Sequence, residues 1–447
     1  MTTLQTLARR LCAASTDTLP QSALSSARKC LLDLLGCAAM GRDNPSVRHA
    51  REWASEAFPT GKHRIWFSAD TLSMPGAGFV NACAASILDL DDGHRAASGH
   101  PGAAVIPAVL AAAEKTSASM GEVLTAIVCG YEAGVQIARA RVPYPNRSVA
   151  SGRWTALAVA AGAGRLLRLS EEELAHAMGL AEAYAPNMLA ADHAGFAGSD
   201  SKEGIPWSVI AGLSAVEQVA HRFHGYISAL DNPAEYIPGA ILNNTSDPWL
   251  IEGTYFKPYG CCRWIHAAID AVLDMRRAGV DASAVESIEI ATFARACSLA
   301  NDPAPRSTIA GQFSIPFCVA VALVDGEEGL LPLRPQALTR GDILGVANRV
   351  SWRCDAELDQ MFPAQVPARV TMRMRGKTMD SLVAVPLGDP ACPMLASHFA
   401  AKFAARRSGG NTDDFSKMMA LLLPESPPTQ QEDDAALQAI GKFVAPA

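Results

Sequence analysis

The sequence predicts a mainly α protein with a smaller α+β unit in its second half. Two observations carry this. Ala-rich segments with helical spacing recur from Leu4 to about residue 278, and then, past residue 280, two segments alternate apolar and polar residues with period two before helical pattern returns towards the C-terminus. At 447 residues, 49% hydrophobic and 19% charged, the chain is long for one core, so two domains are expected.

The helical segments read in order as 22–39, 77–90, 105–115, 121–141, 154–169, 171–184, 207–223 and 263–277. In 77–90, small alanines mix with Phe79, Val80, Ile87 and Leu88. In 105–115, Pro107 is placed in the first turn, where its missing N–H costs nothing. Ser170 and Glu173 form a capping box that starts 171–184. Pro143, Pro145, Gly195, Gly198, Gly204, Pro206, Pro233 and Pro238 mark loops long enough to carry function. Residues 287–293 and 368–374 read as strands, the second turning at Gly376, with helices at 313–324 and 342–350 between them. The Pro/Gln/Asp/Glu-rich stretch 424–434 reads as a surface connection, and no solenoid repeat is present.

A net charge of −7 argues against nucleic acid or an anionic membrane as partner, since either needs a basic face. No apolar run reaches membrane-spanning length, and residues 1–14 lack the hydrophobic centre of a signal peptide, so a cytoplasmic location is expected. The eleven cysteines contain no C-x-x-C pair and read as buried thiols rather than disulfides or a zinc or iron–sulfur cage.

The chemistry concentrates in three places. Segment 89–107 packs Asp89, Asp91, Asp92, His94 and His100 into a loop between apolar helices. His100 lies near a helix N-terminus, which disfavours imidazolium and so leaves a neutral imidazole able to accept a proton. The plainer reading of these groups is a solvated loop. Residues 199–207 set Lys202 in a Gly-flanked loop before an apolar helix, either to aim its ammonium at a carboxylate or as a surface lysine beside a cap. Residues 255–266 supply Lys257, Tyr259, Arg263 and His266, and helical spacing puts Arg263 and His266 on one face of a helix start, a seat for a substrate carboxylate. The alternative there is a cap whose basic residues pair with Asp270 and solvent. Together these groups suit removal of a proton next to a carboxylate. The alternative is a metal site of Asp89, Asp92, His94 and His100, but their spacing matches no standard zinc motif, so no metal is expected.

The chain resembles the MmgE/PrpD family. The likeness lies in Cys30-Leu31-Leu32-Asp33-Leu34-Leu35-Gly36, in Asp89-Leu90-Asp91-Asp92 with His100-Pro101 and Pro107, and in Lys202. It continues in Lys257-Pro258-Tyr259 with Cys262-Arg263 and His266, in Gln312-Phe313-Ser314-Ile315-Pro316-Phe317, and in Gly388-Asp389-Pro390 with Pro393. The resemblance implies a large helical bundle domain built from both chain ends (1–278 and 395–447), a smaller α+β lid domain (279–394), a homodimer, and cofactor-free chemistry on a small di- or tricarboxylate. By position it suggests Asp89, His100, Lys202 and Lys257 as pocket residues. Taken with the reading of the three segments, His100, Lys202 and Asp89 are expected in catalysis, and Lys257, Arg263, His266, Tyr259, Asp92 and His94 in substrate binding.

The chain departs from the family pattern at three places: no histidine stands in 148–154, Phe317 replaces a tyrosine of decarboxylase-like members, and Cys262 replaces their histidine. These departures point away from 2-methylcitrate dehydratase and cis-aconitate decarboxylase activity. The reading is a dehydratase-like lyase acting by α-proton abstraction. The alternatives are an epimerase of the iminodisuccinate type, which reprotonates the same carbanion, and a non-catalytic carboxylate-binding protein.

Overall fold

The computed structural model describes residues 1–142, 150–188, 199–243, 248–404, 412–424 and 426–446. The loop positions Pro143, Pro145, Gly195 and Gly198 lie outside the described residues. Helices dominate, and their buried side chains form two large hydrophobic cores.

The first core takes residues from Leu4 to Phe256 and again from Met394 to Val444. Its centre is the helix Gly152–Leu166, which packs on Met120–Ala140, Ile205–Ala220, Glu171–Tyr184 and Gly102–Thr116. Such close packing needs small residues, and a Cβ at Gly212 would lie 2.5 Å from the Ala156 carbonyl oxygen of the neighbouring helix. The C-terminal helices Ala396–Ala404, Thr412–Leu422 and Gln430–Phe443 fold back onto this core through Phe399, Phe403, Met418, Leu422 and Phe443.

The second core spans Tyr259 to Met372 and encloses one face of a four-stranded sheet. Val350–Cys354 lies at one edge, parallel to Val285–Thr292, which pairs antiparallel with Ala368–Met374, itself paired with Lys377–Val383. The helices His266–Arg277 and Ile315–Asp325 pack together, and the former also lies on the strands Ala368–Met374 and Lys377–Val383.

Several elements differ from their sequence pattern. The helix read at 77–90 is Met74–Ser86, and its last expected turn instead opens the loop that carries Asp89. Pro107 sits in the second turn of Gly102–Thr116 rather than the first, so this helix forgoes one internal hydrogen bond. The helix read at 342–350 is Gly341–Ala347, and the strand Val350–Cys354 that follows has only Val350 buried. Such an edge strand leaves little periodic signal. The stretch 424–434 contains the start of Gln430–Phe443, capped by Thr429 and Glu432. Residues 263–265 form a 3-10 turn before His266–Arg277, and that helix buries its apolar side in the second core. Among the described residues no helix is long and apolar enough to cross a membrane.

Candidate active site

A polar pocket opens where the two cores meet. Segments beside the first core supply Asp89, His94, Arg95, His100, Lys202, Glu203 and Tyr255, and segments around the second core supply Cys262, Arg263, Trp264, Phe313, Phe362 and Val366. The loop and the Lys-Pro segment are joined by a short antiparallel ribbon in which Gly93 faces Tyr255 and His94 faces Thr254. Pairing there carries Lys257 to Asp89 across 168 residues of sequence. The backbone turns sharply at the chemistry: Asp89 and Glu203 both adopt φ +49°, a costly conformation for residues with a Cβ that recurs where sites are preorganised.

Asp89 is the hub. Its Oδ1 accepts a hydrogen bond from Lys257 Nζ at 2.7 Å and lies 2.7 Å from Lys202 Nζ, while Lys257 also donates to the Asp89 carbonyl at 3.0 Å. Burial alone would raise the Asp89 pKa, but the two lysines and His100 outweigh it and hold the carboxyl well below its usual range. Burial likewise opposes the charge on Lys202 and Lys257, and Asp89 above all keeps both ammonium groups protonated with raised pKa values. Lys202 Nζ stands 4.7 Å from the centre of the Phe313 ring, at the wall formed by the second core.

His100 is oriented by its own loop. Nδ1 lies 2.7 Å from the Asp92 carbonyl oxygen, so it holds the proton and donates it there. Nε2 then faces Asp89 Oδ1 at 3.7 Å and Glu203 Oε1 at 3.9 Å, both in the pocket. The expectation of a helix terminus keeping this ring neutral is overturned. Burial and Lys257 do lower its pKa, but Asp91, whose Oδ2 lies 3.3 Å from Nδ1, and Glu203 outweigh them, and the net shift is upward. Carboxylates from two segments decide the charge, against the diffuse field of one helix end.

The other expected site residues divide. His94 lines the pocket, but its Nε2 is hydrogen-bonded to the Leu250 carbonyl at 2.9 Å, and burial drops its pKa to about 4. Arg263 lines the pocket, but its fork is spent on protein carbonyls, Nη1 on Leu387 at 2.7 Å and Nη2 on Pro386 at 3.0 Å. The expected bidentate clamp on a substrate carboxylate is therefore not formed by those two nitrogens. His266 is fully buried outside the pocket, donating from Nε2 to the Cys261 carbonyl at 3.2 Å, and burial and Arg263 push its pKa well down. Tyr259 donates to Asp270 at 2.8 Å, also outside the pocket. Lys257 lies behind Asp89 rather than at the pocket wall. Lys202, read alternatively as a surface lysine, is only 4% exposed.

Asp92 also faces away from the pocket. It accepts from Tyr131 Oη, in a very short contact, and from Gly102 N at 3.1 Å. Burial raises its pKa to about 7, with Asp33 and Asp91 adding to the effect against the Tyr131 hydrogen bond. The folded protein therefore holds this proton more tightly than the unfolded chain, whose aspartates titrate near 3.9. Stability from Asp92 is present at low pH and lost as pH rises through about 7. In Asp92→Asn, which keeps an acceptor for Tyr131, urea midpoints at pH 5 and pH 8 should show wild type losing stability relative to the variant across that span. A constant difference would remove the buried-acid assignment.

Glu203, Arg95 and Tyr255 line the pocket without having been selected from sequence, and Cys262, one of the departures from the family pattern, lines it as well. The signal available for Glu203 was its place beside Lys202 before a glycine. Asp89, Asp91 and His100 bring ligand-type atoms within 4.8 Å of one another. A divalent cation there would sit against two ammonium groups 2.7 Å from Asp89 Oδ1, with His100 Nδ1 already committed to a carbonyl. The arrangement suits proton transfer rather than a metal. Phe317, one of the departures from the family pattern, is buried in the second core outside the pocket.

Fold and pocket together define a two-core helical protein with a buried His/Lys/carboxylate site at the junction. The MmgE/PrpD N-terminal domain matches residues 5–238 and the MmgE/PrpD C-terminal domain matches residues 259–410. The chain belongs to the MmgE/PrpD family. It is 26% identical to a cis-aconitate decarboxylase of Aspergillus terreus over 411 residues, covering 84% of this chain and 83% of that protein. A cis-aconitate decarboxylase-like protein of Aspergillus oryzae is 24% identical over 407 residues, covering 83% of this chain and 84% of that protein.

Proposed function

We propose that this protein is a cofactor-independent lyase that abstracts an α-proton from a small di- or tricarboxylate, dehydratase-like in outcome. The observation that carries the reading is the orientation of His100, whose Nδ1–H is committed to the Asp92 carbonyl while Nε2 is turned to the pocket beside the Lys202 ammonium. A base within reach of an acidic C–H, next to a cation that stabilises the resulting carbanion charge, is the minimum such chemistry requires. Lys202 is the carboxylate-binding group, and Lys257 acts through Asp89 to fix the hub. Membership of the family and relatives named for decarboxylation, itself a lyase reaction, support the class.

The test is incubation in D₂O with a panel of di- and tricarboxylic acids and their hydroxy derivatives. A lyase develops the ultraviolet absorbance of a conjugated acid and, where the step reverses, places deuterium next to a carboxylate. Stereochemical change without absorbance would move the assignment to an epimerase. Binding with neither exchange nor product across the panel would leave a carboxylate-binding protein.

The proposed assembly is a homodimer. Trp53 and Trp207, 41% and 47% exposed, lie 5.8 Å apart with Phe79 beside them, an aromatic face that water covers poorly. Light scattering at micromolar concentration should return the mass of two chains, and a monomer would refute the dimer.

A further inference from the structure

Glu203 is 4% exposed and faces the same pocket as His100. One serine fixes the two together. Ser151 donates from Oγ to Glu203 Oε2 at 2.6 Å and from its backbone N–H to the same oxygen at 3.1 Å, while its Oγ accepts from the His100 backbone N–H at 3.0 Å. With Oε2 so held, Oε1 is directed at His100 Nε2, 3.9 Å away, and at Lys202 Nζ, 3.6 Å away. The positive φ of Glu203 and of Gly204 after it delivers the carboxylate to this point, and a strained backbone persists only where its surroundings enforce it. Asp89 carries one negative charge against the two ammonium groups 2.7 Å from it, so Glu203 also balances charge on Lys202, whose pKa it raises, and the test must separate that role from proton transfer.

We propose that Glu203 is a catalytic residue, the acid partner of His100, which takes the Nε2 proton of the imidazolium and delivers it to the leaving hydroxyl. The inference rests on the lyase reading and names the second proton-transfer group that reading needs. The proposed step starts from His100 as imidazolium and Glu203 as carboxylate. Transfer of the proton from Nε2 to Oε1 leaves a neutral imidazole and a carboxylic acid with the total charge unchanged. The imidazole Nε2 lone pair then takes the α-proton, and the C–H electron pair becomes the second bond between the α- and β-carbons. The β-carbon–oxygen bond breaks with its electron pair on oxygen, the Glu203 proton joins that oxygen, and water leaves. Imidazolium and carboxylate are restored.

The spacing also distinguishes this chemistry from inversion at one carbon. Two groups reaching opposite faces of a carbon, each at about 2.6–3.2 Å, would stand about 5–6 Å apart. At 3.9 Å, Nε2 and Oε1 are closer than that, a separation that suits groups acting from one side of a substrate. Among the described residues, Asp89 and Asp91 also face the imidazole, Lys257 lowers its pKa, Lys202 stands 3.6 Å from Glu203 Oε1, and His94, Arg95 and Arg263 line the same pocket.

The test uses Glu203→Gln, whose amide oxygen still accepts from Ser151. Two readouts are combined. Imidazole ¹⁵N titration of the ligand-free protein, with the His100 signal assigned through His100→Asn, should show the His100 pKa falling by about one unit or more in the variant. On the hydroxy acid that the wild type dehydrates, the variant should lose at least a hundredfold in kcat. On the analogue carrying fluoride in place of that hydroxyl, a leaving group needing little acid assistance, it should stay within about fivefold of wild type. An unmoved His100 titration, hydroxyl elimination at wild-type rate, or equal losses on both substrates would each overturn the proposal while leaving the lyase reading intact. A wild-type protein that turns over no acid in the panel defeats the lyase reading first, and the elimination step proposed here fails with it.

Discussion

His100→Asn should lower kcat on the acid found by the exchange assay about 10²–10⁴-fold, the range for loss of a positioned general base, while ligand affinity stays within a few-fold. The asparagine amide can still donate to the Asp92 carbonyl, so the loop keeps the bond that Nδ1 makes at 2.7 Å. The groups assigned to carboxylate binding and to the hub remain in place, since Lys202 and Lys257 are held by Asp89. A loss confined to kcat marks an interaction made in the transition state, whereas a rise in KM alone would mark a binding role. Deuterium incorporation next to the substrate carboxylate should fall in parallel with turnover. Full activity would remove His100 as the base. His94 is a poor substitute, because its Nε2 is hydrogen-bonded to the Leu250 carbonyl.

The second large effect is expected far from the pocket in sequence. Lys402, on the C-terminal helix Ala396–Ala404, is 2% exposed and donates to Asp33 Oδ1 at 2.5 Å and to the Leu90 carbonyl at 3.0 Å. It thereby ties both chain ends to the loop that carries Asp89. Burial raises the Asp33 pKa to about 6, with Lys402 opposing that rise and Asp91 adding to it. Lys402→Met removes the opposing charge and leaves a carboxyl in the core with no cation beside it, a change that costs about 3–5 kcal/mol in comparable buried pairs. Urea denaturation should show that loss at pH 7.5 and a smaller one at pH 5. Without the lysine the Asp33 pKa rises further, so the variant regains stability as the acid protonates at low pH and loses it as pH climbs. The double variant Asp33→Leu/Lys402→Met should recover most of the stability, since an apolar pair of similar volume replaces two desolvated charges. A single variant within about 1 kcal/mol of wild type would show that the pair does not anchor the loop.

Helix Glu171–Tyr184 was legible to the residue because its start is a local event, Ser170 and Glu173 satisfying each other's backbone across three positions. Strand Ala368–Met374 was legible for a similar reason, since its alternation matches a burial pattern in which every second residue begins inside. The edge strand Val350–Cys354 was not, because only one of its residues is buried and its place depends on Val285–Thr292 running parallel beside it. The residues of the site were legible as chemistry but not as geometry. Arg263 and His266 are three apart in sequence, yet the carbonyls of Pro386, Leu387 and Cys261 occupy them. Glu203 was in view beside Lys202 and gained a role only when Ser151, 52 positions away, fixed it against His100.

The sequence by itself determined the family, the predominance of helix and the loop in which acids and imidazoles gather, because helix starts, hydrophobic periods and motif order are written within a few residues of one another. Only the tertiary structure decided what those side chains can do. The upward shift of the His100 pKa, the persistent charges on Lys202 and Lys257, the confinement of Lys257 behind Asp89 and the tether through Lys402 each come from desolvation and from partners contributed by distant segments. Coulombic and hydrogen-bond energies depend on distances of a few ångströms and on exclusion of water, and those are settled by packing rather than by position along the chain.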